Sequence, residues 1–96
     1  MTPRHYARRS DANQQAIMDE LRQLGVSVRS IHRLGEGLPD ILCGFQGRNY
    51  LLEVKQPGKR DDLTEAEAAF SHSWRGQTDI ITTTEEAWDI IRGAAW

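Results

Sequence analysis

Cysteine is nearly absent from this 96-residue chain: Cys43 stands alone. No internal disulfide can form, and neither a disulfide scaffold nor a cysteine-rich zinc site is available. Long apolar runs are missing as well. Nothing approaches the roughly eighteen residues that a membrane helix needs, and the opening MTPRHYARRS is basic but lacks the apolar stretch of a secretory signal. The three histidines, His5, His32 and His72, show no ligand spacing, which argues against a zinc or HNH-type centre. There is no repeat and no low-complexity tract. What remains is the expectation of one small globular domain over 1–96 in a reducing cytoplasm, without membrane association, its first ten residues a basic arm.

Net charge is also low, at −2, but it is unevenly spread. Residues 1–60 hold ten Lys/Arg against six Asp/Glu, while residues 61–96 hold two against eight. Such asymmetry suits a basic face for a polyanion and a solvated acidic back.

The periodicities predict the order α-β-β-β-α-β-α. In DANQQAIMDELRQLG, Ile17, Leu21 and Leu24 recur at helical spacing, Ser10 or Asp11 stands where a cap belongs, and Gly25 closes the helix. VSVRSIHRL alternates as a strand. DILCGF and NYLLEV read as a hairpin about a turn at Gly47 and Arg48. Thr64/Glu67 and Thr83/Glu86 are T-x-x-E signatures that open two more helices. Phe70 and Trp74 should face inward from the first, and Ala87, Ile90 and Ile91 from the second, with the strand TDIITT between them. Three adjacent strands, a helix and a fourth strand predict an α/β fold with a mixed sheet flanked by helices.

The stretch GLPDILCGFQGRNYLLEVK, residues 37–55, puts charge at the ends of two apolar strands. Alternation places Glu53 and Lys55 on one face, and a turn at Gly47–Arg48 sets residue 40 opposite residue 55, so Asp40 shares that face. Two carboxylates, Asp40 and Glu53, with a backbone carbonyl near Val54, offer the oxygen ligands that Mg²⁺ prefers. Lys55 beside them can orient a water or offset phosphate charge. The layout suits metal-assisted phosphodiester hydrolysis. An E-x-K on an exposed strand is ordinary by itself; the preceding G-x-G-x-P-D and the twelve intervening residues set this one apart.

The run GEGLPD…LLEVK resembles the PD-(D/E)xK nuclease superfamily. With DANQ before it and LT..E and W.GQ after it, the chain is similar over residues 10–93 to small, phage-type, stand-alone VRR-NUC (virus-type replication-repair nuclease) proteins. The resemblance implies a restriction-endonuclease or Holliday-junction-resolvase-like core. It also implies Mg²⁺-dependent cleavage of DNA, Mn²⁺ substituting, on structured or branched substrates by compact homodimers in a bacterial or phage-infected cell. Asp40, Glu53 and Lys55 fall on the motif positions.

Two positions depart from the pattern. Relatives often carry a Glu in the first helix, where this chain offers Asn13 near the apolar face and Glu20 flanking it. Relatives also commonly have Gln where Glu67 stands, and its capping-box role accounts for Glu67. Asn13, Glu20 and Glu67 are therefore additional site candidates. Lys59 and Arg60 in QPGKRDD, and Arg8 and Arg9 in the N-terminal arm, are candidate phosphate contacts. His32 sits at a strand end, where it is a surface histidine or a general base. Against the nuclease stands a second class, a catalytically inactive nuclease-fold module that grips branched DNA or a replication or repair partner. Metal-dependent cleavage separates the two.

Overall fold

The structure, a computed structural model, describes the backbone over residues 9–93 and the side chains over residues 12–93. Helix α1 (Arg9–Gln23) leads into β1 (Ser27–Ser30), a 3₁₀ turn (His32–Leu34), β2 (Ile41–Phe45), β3 (Arg48–Val54), α2 (Glu65–Ser73), β4 (Thr78–Ile81) and α3 (Thr84–Ile91). The element order is the one expected, with the 3₁₀ turn added. The four strands form one mixed sheet in the order β1-β2-β3-β4, antiparallel up to β3 and parallel between β3 and β4. A parallel pair requires a crossover, and α2 is that crossover. No helix among the described residues is long and apolar enough to cross a membrane.

Alternation along the strands makes one sheet face apolar. Val28, Ile41, Cys43, Tyr50, Leu52, Val54 and Ile81 are buried there against Ile17, Met18 and Leu21 of α1 and Ala87 and Ile91 of α3. The Cys43 thiol belongs to this core, and burial pushes its pKa to about 12, which leaves it an inert apolar group.

Helix α1 begins by Arg9, so Ser10 and Asp11 lie inside it rather than capping it. It ends in a Schellman motif: Val26 N–H donates to Leu21 O at 3.1 Å and Gly25 N–H to Arg22 O at 3.0 Å. That ending corrects one expectation. Leu24 has left the helix and is 44% exposed, and Met18 is buried in the core.

The hairpin turn also differs. It is a two-residue turn at Gln46 and Gly47, both with positive φ (51° and 79°), the type I′ geometry whose twist matches the strands. Phe45 therefore pairs with Arg48 and Ile41 with Leu52. Continuing the ladder brings Asp40 level with Glu53, two residues from the Lys55 expected. A slip of two preserves side-chain parity, so Asp40 keeps the face predicted for it.

Helix α2 begins with a complete capping box. The Thr64 hydroxyl accepts from Glu67 N–H, and the Glu67 carboxylate accepts from Thr64 N–H. None of its side chains is fully buried. Phe70 and Ser71 line a small cavity with Glu53, Thr78 and Ile80, which places α2 over the face opposite α1 and α3. Trp74, expected to face inward, is instead the C-cap residue, 47% exposed; its ring stacks on Phe70 with centroids 4.9 Å apart. In α3, the Thr83 hydroxyl accepts from Glu86 N–H, but the Glu86 carboxylate accepts from Thr82 N–H, so only the forward half of the expected box is present.

Candidate functional site

The loop GEGLPD delivers Asp40 to the sheet. Gly37 has φ +77°, and a Cβ there would run into the Ala66 carbonyl at the start of α2. Pro39 is buried behind it. The backbone on both sides then grips Asp40: β3 on one, and Ile31, just past the end of β1, on the other. Its N–H donates to Leu52 O at 3.1 Å, its carbonyl accepts from Ile31 N–H at 2.8 Å, and its Oδ2 accepts from Val54 N–H at 2.8 Å. One carboxylate oxygen is thus committed to the backbone, and the carboxyl group lies against that of Glu53. In an extended strand the N–H and C=O of a residue leave by the same edge, so the Val54 carbonyl is directed toward the Asp40 side.

Glu53 is buried, only 7% exposed. The Lys55 Nζ lies 3.5 Å from Glu53 Oε2 and 3.0 Å from Glu67 Oε1. Two carboxylates thus share one ammonium. Burial pushes the Glu53 pKa up to about 8, and the charges of Asp40 and Glu67 push the same way. Burial also raises Asp40, against the lowering effect of the Val54 N–H. For Lys55, burial opposes the charged form, but the Glu67 and Glu53 carboxylates outweigh it and hold its pKa above the ordinary value. Glu67 is lowered: burial works against its charge, and the Thr64 N–H and Lys55 overcome that.

These residues form the floor of an open cleft of about 390 Å³, walled by Gln14, His32, Gln56, Lys59 and Asp62. Among the remaining candidates, Asn13 does not line the cleft but ties α1 to the strand ends: its Nδ2 donates to Lys55 O at 3.2 Å and Thr82 O at 3.4 Å. Glu20 is exposed, accepts from the Thr84 hydroxyl and is not part of the cleft wall. Lys59 lines the cleft, whereas Arg60 is engaged by Glu86 of α3 at 3.2 Å and Asp79 of β4 at 3.7 Å. Arg8 lies outside the described residues, as does the Arg9 side chain. Gln14 and Gln56 were not singled out from the sequence. Gln14 is one helical turn from the buried Met18, the only hint of its position. The Nε2 of Gln56 is buried without a hydrogen-bond partner among the described residues. His32, at the cleft mouth, shares a hydrogen bond between its Nδ1 and Ser30 Oγ at 3.0 Å.

Among the described residues, no three His, Cys, Asp or Glu side chains are arranged to hold a metal ion by themselves. The donor set of two carboxylates and a backbone carbonyl nevertheless fits a hard divalent cation that keeps several waters. Glu53 supports the fit: burial first, and the charges of Asp40 and Glu67 after it, disfavour its carboxylate form, and a cation beside it would offset both. No protein-family model matches the chain, and no curated protein or solved structure is significantly similar to it.

Proposed function

We propose that this protein is a divalent-metal-dependent DNA endonuclease with a PD-(D/E)xK, Holliday-junction-resolvase-like core, acting on branched DNA. The observation that carries the reading is the convergence of Asp40, Glu53 and Lys55 on the floor of one open cleft. Asp40, Glu53 and the Val54 carbonyl would hold Mg²⁺ or Mn²⁺, which supplies phosphate polarisation and a more acidic bound water. Lys55 holds its positive charge where a pentavalent phosphorus would gather negative charge. Lys59 adds a cation at the rim for a neighbouring phosphate, without base readout.

A four-way junction has near two-fold symmetry, and paired cuts need two active sites in fixed relation, so the working form is a homodimer. The test is incubation with labelled four-way junction, flap and linear duplex in Mg²⁺, Mn²⁺ or EDTA. The reading requires cleavage with either cation and none in EDTA. Tight junction binding without cleavage in any condition would leave the binding-module alternative.

A further inference from the structure

We propose that Glu67 is a positioning residue for Lys55: it draws the ammonium away from Glu53, so that the Glu53 carboxylate remains available to a divalent cation. The inference rests on the nuclease reading above and gives Glu67 a part distinct from ligation.

The geometry is specific. Lys55 has two carboxylates within reach, Glu67 Oε1 at 3.0 Å and Glu53 Oε2 at 3.5 Å. The nearer is not a free surface acid. The same Oε1 accepts from Thr64 N–H at 3.0 Å, and the Glu67 N–H in turn donates to the Thr64 hydroxyl at 3.1 Å. The capping box therefore fixes the carboxylate at the helix start before Lys55 meets it, and the helix start is itself packed against Gly37 in the loop that carries Asp40. Lys55 has a long, flexible stem, and its ammonium goes where charge is held for it. Without the Glu67 charge, the nearest remaining carboxyl group is Glu53, two residues along the same strand face. An ammonium seated on Glu53 would compete for the oxygens a cation needs, and it would lie closer to the strand than a phosphate over the cleft.

The helix-capping and ion-pairing jobs of Glu67 can be separated chemically. Glutamine at the third helical position still completes a capping box through its amide oxygen, but it carries no charge for Lys55. Mn²⁺ affinity, measured by calorimetric titration without DNA, should be compared for the wild type, Glu67→Gln, Lys55→Ala and the double variant. Acting through Lys55, Glu67→Gln weakens Mn²⁺ binding roughly tenfold in the presence of Lys55, the usual scale for a residue that orients a metal site. In the Lys55→Ala background the same change costs less than about twofold, because the competing ammonium is gone.

Thr64→Ala is the control for a purely structural role. It should lower the melting temperature, since a cap is lost, while leaving Mn²⁺ affinity within about twofold. An equal tenfold loss in both Lys55 backgrounds would mean that Glu67 acts by its own charge, and an equal loss in Thr64→Ala would mean helix fraying. Either result overturns the inference and leaves the nuclease reading standing. A wild-type protein that binds no Mn²⁺ at millimolar concentration would overturn both.

Discussion

At the residue scale, each site group has a distinct expected signature. Asp40→Asn keeps an oxygen for the Val54 N–H at 2.8 Å but removes the charge. The fold should survive and cleavage of junction DNA should fall by at least about a hundredfold; wild-type cutting by this variant would remove Asp40 from the site. Lys55→Ala should leave metal binding in place and slow cleavage by about 10²–10³-fold. Glu53 gives a pH signature. Its folded pKa is raised to about 8, above an unfolded value of about 4.3. The stability that its protonated form contributes is fully present below pH about 4 and is lost as pH rises through about 8. The lowered Glu67 and Glu86 act with the opposite sign, but their contributions are complete well below neutrality. In EDTA, melting temperature should therefore fall between pH 6 and pH 9, and Glu53→Gln should flatten the fall; an unchanged slope in that variant would contradict the assignment. Asp40, Glu53 and Lys55 were legible in the sequence because strand parity survives a two-residue register error. Gln14 and Gln56 were not, since an uncharged amide announces nothing until the fold turns it into a cleft.

At the element scale, the loop between β3 and α2 divides its two cations. Lys59 lines the cleft, while Arg60 anchors the loop to Glu86 and Asp79. Lys59→Ala should reduce the slope of log affinity for DNA against log salt by about one, whereas Arg60→Ala should leave the slope and cost at most about 1 kcal/mol of stability, as half-exposed pairs do. An identical slope change in both variants would reject the division. The sequence treated the two residues alike because adjacency says nothing about which way a loop side chain leaves. The loop before β2 is more demanding. Gly37→Ala meets both a positive φ and the Ala66 carbonyl, and should destabilise by roughly 1–3 kcal/mol, read in a denaturant melt. The helices themselves were legible from their capping boxes and periodicity. What failed were their ends. Leu24 and Trp74 keep the helical spacing in sequence, but each is the first residue past its helix, where the chain turns and the periodicity no longer says which way a side chain points.

At the scale of the whole molecule, the core lies on one side of the sheet. Helices α1 and α3 cover that face, whereas α2 on the other buries no side chain completely and leaves Trp74 47% exposed. A chain this short buries a modest share of its surface, and association is a common remedy. The mixed sheet and its crossover were legible because strand and helix patterns alternate in the order that a parallel pair requires. The stretch AWDIIRGAAW has no charged side chain after Arg92, and its last three residues lie outside the described region. Ile90 and Gly93, just before them, line an open groove of about 320 Å³ with Arg48 and Gly76. Paired cutting of a two-fold junction requires two copies of the cleft. Light scattering at micromolar concentration should therefore give twice the chain mass of 10.9 kDa, and truncation after Gly93 should shift the population toward monomer. A monomer mass for the full chain, with cleavage retained, would dispose of the dimer and of symmetric junction cutting, since one cleft per particle cannot place two nicks in register. The single-cut nuclease would remain, because Asp40, Glu53 and Lys55 all come from one chain.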